Sequence, residues 1–323
     1  MVNKIDVPSR WTNETGEAVA KQNELAADVY STGQSIEEMR AGYRTERAYW
    51  NEGGPVMAAT VDGVIPTDHG DIAVRMYRPT TDAVLPVIFF THGGGWCLGD
   101  LDTHDRMTRI LAEESGAAVI AIDYGLSPET KYPTNLQQCV AVVQAVRAAA
   151  GEWGIDGDDV SFAGDSGGAH IALASYLYLR EVEKAADNVR ALLLFYGWFG
   201  LRDSPSQRRL GGPWDGITQD ELAFYIGQAL ADERQIEDRF LDLFRNDLTR
   251  DMPATYIVAA ELDPLLDDSR LLADILESSG IPVKLDIYEG IIHAFLHHSR
   301  LVPEAGAALA AASEFYRAQA SQS

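Results

Sequence analysis

Residues 160–170 join a short apolar strand, a serine between glycines and the first turn of a helix. The core of the stretch is Gly164-Asp165-Ser166-Gly167-Gly168, the G-x-S-x-G pattern of a nucleophile elbow. A serine there sits in a strained strand-to-helix turn, so the residues two places to either side must be small. The turn also lifts the hydroxyl off the end of a sheet, toward whatever binds above it. Five residues alone recur by chance, so the remainder of the chain has to supply a base, an orienting acid and donors for a developing oxyanion.

The segments around the elbow alternate in type. Pro86-Val87-Ile88-Phe89-Phe90 is a continuous apolar run, the texture of a strand buried on both faces. The pattern then predicts helix 103–115, strand 118–124, helix 136–150, strand 160–165, helix 168–183 and strand 189–196. Strand 255–260, helix 269–279, strand 283–288 and an Ala-rich helix 303–319 follow. Such alternation implies an α/β fold with a mostly parallel central sheet covered by helices on both faces. Before it, residues 57–79 alternate as two antiparallel edge strands around the turn Asp68-His69-Gly70-Asp71.

Two regions break the rhythm. Residues 16–50 read as helical, with a capping box at Ser35-Ile36-Glu37-Glu38 and Ile36, Met39, Tyr43 and Trp50 on one face. Residues 199–250 interrupt the alternation just after a sheet strand, where open α/β folds bind ligands. The expected organisation is an N-terminal helical cap segment (1–55) and a catalytic domain (56–323), with 199–250 inserted as the rest of the cap.

His92-Gly93-Gly94-Gly95-Trp96 follows directly on the 86–90 strand. Its glycines let backbone N–H groups converge on a carbonyl oxygen as it gains charge, each donor being worth ~3 kcal/mol of barrier. Gly93, Gly94 and Gly167 are the expected oxyanion donors, with His92 bracing the loop. In this chain order an acid and then a histidine must follow the serine. Asp263, before Pro264 and just past a strand, is the candidate acid, and His293, past the next strand, is the candidate base. His297 and His298 read as packed or solvated residues. Asp165 and Tyr124 are expected to support the site from behind. Trp96, Trp198 and Phe199 are candidates to shorten an acyl pocket.

Composition excludes some classes. A net charge of −23, from 26 basic and 49 acidic side chains, argues against nucleic acid or an anionic membrane surface as partner. Cys97 and Cys139 make no disulfide framework, and no metal motif of the His-Glu-x-x-His or Cys-x-x-Cys type occurs. Residues 1–11 lack the apolar run of a signal peptide, so cytoplasmic residence is expected.

The motifs together resemble the hormone-sensitive-lipase group of bacterial α/β-hydrolase esterases, in particular its acetyl-ester-cleaving members. The likeness runs from His92–Trp96 through Leu98–Arg106, Asp123-Tyr124, Leu126–Glu129, Gly164–Ser166 and Tyr196–Ser204. It continues at Asp263–Arg270 and His293–His297, spanning residues 36–318. Gly167 stands where alanine is usual, Ala169 where glycine is common and Ala294 where the wider group has glycine. The resemblance implies hydrolysis of short-chain acyl esters, acetyl to butyryl, on a small-molecule ester substrate with no cofactor, in cytoplasmic enzymes that are often homodimers. A lactonase, amidase or peptidase on the same triad stays open, as does a regulatory, protein-binding role on a hydrolase fold.

Overall fold

A computed structural model of the protein describes residues 4–320. Two helices come first, α1 (Asn13–Leu25) and α2 (Ile36–Asn51). The capping box at α2 forms as expected: the Ser35 hydroxyl accepts from the Glu38 N–H, and the Glu38 carboxylate accepts from the Ser35 N–H at 2.9 Å. The helical stretch expected over 16–50 is two helices, separated by a non-helical stretch of turns over 26–35.

The sheet holds β1 (Ala59–Thr67), β2 (Gly70–Arg78), β3 (Leu85–Thr91), β4 (Ala118–Asp123), β5 (Ile155–Asp165), β6 (Val189–Phe195), β7 (Ala254–Ala260) and β8 (Val283–Tyr288). Its order is β1-β2-β4-β3-β5-β6-β7-β8. The β1–β2 and β2–β4 pairs are antiparallel, and every other pair is parallel. Between and after the strands run α3 (Asp105–Ser115), α4 (Thr134–Ala148), α5 (Ala150–Trp153), α6 (Gly167–Tyr178), α7 (Pro205–Arg209), α8 (Gln219–Ala229), α9 (Leu266–Ser278) and α10 (Pro303–Gln319).

Strand side chains alternate between faces, and this divides the core in two. Val87, Phe89, Ile120, Ile122, Leu192 and Leu194 join one cluster with α4, α6 and α9. Ile88, Phe90, Val119, Ala121, Leu193 and Phe195 join the other with α3 and α10. Neighbours along each central strand thus pack against opposite helix layers, so the strands read as unbroken apolar runs. Each of the larger of these side chains contributes roughly 1.5–3 kcal/mol on burial, which holds a helix layer on each face of the sheet.

Because β3, β5, β7 and β8 are parallel, the residues following each emerge at one edge of the sheet. His92, Ser166, Asp263 and His293 all lie in those exits. Residues 199–250 leave the sheet after β6 and carry α7, α8 and two short 3-10 turns. Cys97 and Cys139 are free and buried. Among the described residues, no helix is long and apolar enough to cross a membrane.

Candidate active site

Ser166 sits between β5 and α6 with φ 53° and ψ −122°, a left-handed backbone that a side chain adopts only under constraint. The constraint is visible: the Ser166 N–H donates to the Phe195 carbonyl at 2.8 Å, and α6 begins at the next residue. Small neighbours are obligatory. A Cβ on Gly168 would lie 2.1 Å from the Thr91 carbonyl oxygen, and one on Gly164 would lie 2.5 Å from the Gly168 carbonyl oxygen. Those contacts are to backbone and cannot yield. Gly168→Ala should therefore cost roughly 3 kcal/mol or more, whereas Gly306→Ala, with open space around it in α10, should be neutral or slightly stabilising. Urea-unfolding midpoints of the two variants check this.

The Ser166 hydroxyl lies 2.8 Å from His293 Nε2, and His293 Nδ1 lies 2.8 Å from Asp263 Oδ2. The second carboxylate oxygen, Oδ1, accepts the Leu265 N–H at 2.7 Å, which holds Asp263 in the turn that Pro264 helps to make. His293 is placed by the segment after β8: the Leu262 N–H donates to the Ile291 carbonyl, and the ring of Tyr196 packs edge-on at 5.0 Å. Both members of the pair are buried. Burial works against charge on His293, but the Asp263 carboxylate and its hydrogen bond outweigh it. The imidazole pKa is accordingly held above its usual 6.5.

The glycine loop is arranged differently from the sequence expectation. The Gly93 N–H donates to Asp165 Oδ1 at 2.8 Å, so this group is turned away from Ser166 and already bonded. Gly94 and Gly95 line the cavity over Ser166, and among the described residues their N–H groups meet no acceptor. Gly94 takes φ 111°, open only to glycine, and the carbonyl of Leu98 lies where its Cβ would be. Gly167 is the first residue of α6, so its N–H has no partner one turn back. A Cβ there would sit 3.4 Å from the Gly95 nitrogen, which puts the two glycines side by side. Gly94, Gly95 and Gly167 thus offer open N–H groups beside Ser166, whereas that of Gly93, expected among the oxyanion donors, is spent on Asp165.

The Gly93 contact is part of a buried brace. Asp165, 1% exposed, faces His104 Nε2 at 3.3 Å and His297 Nε2 at 3.7 Å as well as the Gly93 N–H. Burial opposes its charge, yet His104 and the Gly93 N–H hold its pKa below the usual carboxylate range. His92 stacks on Tyr124 at 4.4 Å, and the Tyr124 hydroxyl donates to the His92 carbonyl at 2.7 Å. His104, Asp165 and His297 bring metal-ligand atoms within 4.8 Å of one another. The carboxylate is committed to the loop, and the charge of Arg47 acts on His297, so bracing accounts for the group.

A cavity of about 380 Å³, counting its mouth, opens above Ser166. Tyr30, Tyr43 and Arg47 from the N-terminal segment line it, as do Asp215, Ile217 and Tyr225 from residues 199–250. Trp198 and Phe199 do not. They are buried in the core, where the Trp198 indole donates to the Leu201 carbonyl at 2.7 Å. Trp96 packs edge-on against Trp198 at 5.4 Å and lines a separate apolar hollow with His170 and Leu241. Three aromatic residues near the elbow had two explanations, and packing is the one realised. His297, read as packed or solvated, is buried and lines the cavity. Arg47 could have been suspected from its place one turn beyond Tyr43 on the buried face of α2. Asp215 offered no signal beyond its turn residues.

A sheet with this order, a strained serine at the C-terminal end of a central strand and a hydrogen-bonded His–Asp pair define an α/β hydrolase. The chain belongs to the alpha/beta hydrolase fold family, which matches residues 88–297, in its hormone-sensitive-lipase-like branch. An acetyl esterase of Salmonella paratyphi B is 43% identical over 319 residues, covering 98% of this chain and 97% of that protein. A hyperthermophilic esterase from Pyrobaculum calidifontis superposes with a TM-score of 0.89 at 26% identity, covering 96% of this chain and 99% of the other. A thermophilic carboxylesterase cloned from a metagenomic library gives 0.84 at 28% identity, over 90% and 99%.

Proposed function

We infer that the protein is a serine carboxylesterase that cleaves short-chain acyl esters, acetyl to butyryl, through an acyl-enzyme. The observation that carries this is the continuous path from Ser166 Oγ through His293 to Asp263, two contacts of 2.8 Å each. Ser166 Oγ attacks the ester carbonyl carbon while His293 Nε2 takes its proton. Negative charge moves to the carbonyl oxygen, met by the N–H groups of Gly94, Gly95 and Gly167. Collapse expels the alcohol, protonated by His293, and leaves Ser166 acylated. A water molecule, deprotonated by His293, then releases the acid. Asp263 keeps the imidazole in the tautomer that can accept at Nε2 and stabilises the imidazolium.

The described part of the N-terminal segment, residues 4–55, and residues 199–250 act as one cap over the catalytic domain, since both contribute walls to the cavity above Ser166. Tyr30, Tyr43 and Tyr225 narrow that cavity, which supports a limit on acyl length. The acetyl esterase relative points the same way. Cytoplasmic residence fits the chain, and a homodimer fits the group it resembles.

A panel of 4-nitrophenyl esters with a 4-nitroanilide tests this function. Acetyl and butyryl esters should be turned over with kcat/KM roughly tenfold or more above the decanoyl ester. The anilide should be slower than its ester. A preference for decanoyl, or for the anilide, would contradict the reading. The raised pKa of His293 sets the acid limb: the imidazole is protonated, and useless as a base, below that pKa. The kcat/KM profile should therefore fall toward low pH with its inflection above 6.5, as read from initial rates on the acetyl ester.

A further inference from the structure

The cavity above Ser166 carries two polar groups that the ester chemistry does not use. Asp215 is 4% exposed, and its Oδ1 accepts the N–H groups of Gly212 at 3.2 Å and Ile217 at 3.3 Å. Its Oδ2 is buried and has no hydrogen-bond partner among the described residues. Arg47 is 1% exposed; its terminal nitrogens donate to Glu46 at 2.6 Å and to the Tyr30 hydroxyl at 2.8 Å, while its Nε is left without a partner. Both residues line the same cavity as Ser166 and His293. A buried acceptor and a buried donor left open in this way are costly in the empty protein and become favourable when a ligand satisfies them.

The turn that presents Asp215 is held from outside. Trp214 packs edge-on against Trp11 at 5.2 Å, and Gln22 of α1 donates to the Trp214 carbonyl at 3.0 Å. Gly216, at φ 68°, lies against the ring of Tyr30. The carboxyl is therefore held in place by a supported turn. Its charge acts on His293, so it lies near the catalytic base. The acyl groups read above, acetyl to butyryl, carry no polar atom beyond the ester itself, so a group that satisfies these two atoms belongs to the alcohol half.

We propose that Asp215, with Arg47, forms a subsite for the alcohol half of the ester and selects neutral alcohols that carry a free hydroxyl beside the ester bond. This assignment rests on the carboxylesterase reading above. A cationic alcohol would meet the Arg47 guanidinium in the same small space, and an anionic one would meet Asp215. A hydroxyl donates to Asp215 Oδ2 or accepts from Arg47 Nε, whereas a hydrocarbon does neither. Burial pushes the Asp215 carboxyl up to about 7, and a hydroxyl can bond either its anionic or its neutral form. The substrates so described are partial acetates of polyols, glycerol-like or sugar-like.

The test compares kcat/KM for glyceryl monoacetate with that for 2-methylbutyl acetate, which carries methyl groups in place of both hydroxyls. Wild-type enzyme should favour the hydroxylated ester roughly ten- to a hundredfold. Asp215→Leu should bring the ratio to one or below. Asp215→Asn keeps an acceptor for the Gly212 and Ile217 N–H groups, so the turn can form if the leucine variant fails to fold. It presents only a donor where the carboxyl could also accept, so the hydroxyl can bond it only through its oxygen, and the ratio should fall part of the way. A wild-type ratio of one or less, or a ratio unchanged in the folded variants, would overturn the subsite alone. No turnover of either ester or of 4-nitrophenyl acetate would overturn the carboxylesterase reading and the subsite with it.

Discussion

Asp263→Asn should lower kcat about 10⁴-fold while the protein still folds. The amide oxygen can take over the Leu265 N–H that Oδ1 now accepts at 2.7 Å, so the turn after β7 survives. Its NH₂ group then faces His293 Nδ1, which must accept a hydrogen bond where it now donates one. The proton moves to Nε2, and that nitrogen can no longer take a proton from Ser166. A second consequence follows from the same loss of charge. Asp263 is what lifts the His293 pKa against burial, so without it burial should pull that pKa down. The residual activity should accordingly show its acid limb at lower pH than wild type. Steady-state rates on 4-nitrophenyl acetate across pH, with a thermal melt of the variant, check both effects. Unchanged kcat would remove Asp263 from the site.

Ser166→Ala should have the larger effect, on the order of 10⁶-fold in kcat. It deletes the atom that attacks, and the donors of Gly94, Gly95 and Gly167 can then stabilise only the background reaction with water. The Ser166 hydroxyl bonds only His293 Nε2 among the described residues, and His293 keeps its bond to Asp263. Stability should therefore change little, which urea unfolding measures alongside the rate.

Much of this architecture is legible in the sequence because the constraints are local. The elbow needs small residues two places either side of Ser166, and the structure packs backbone against both positions. Order along the chain narrows the acid and base to Asp263 and His293, since parallel strands deliver their exits to one edge. The apolar runs of β3, β4 and β6 announce a sheet covered on both faces. What is not legible is decided by contacts between distant segments. Nothing in three consecutive glycines says which N–H groups point inward; Asp165, on the next strand over, claims that of Gly93 and so releases those of Gly94 and Gly95. Trp198 and Phe199 look the same in sequence whether they line a pocket or fill a core. The cavity wall brings Tyr30, Tyr43 and Arg47 together with Asp215 and Tyr225, and only the folded chain makes them neighbours.

Covalent labelling by a fluorophosphonate ester, mapped by peptide mass spectrometry, tests the central claim most directly. Wild-type protein should form one adduct, on the peptide containing Ser166, and Ser166→Ala should form none. An adduct on another residue, or none on protein shown to be folded, would contradict the claim.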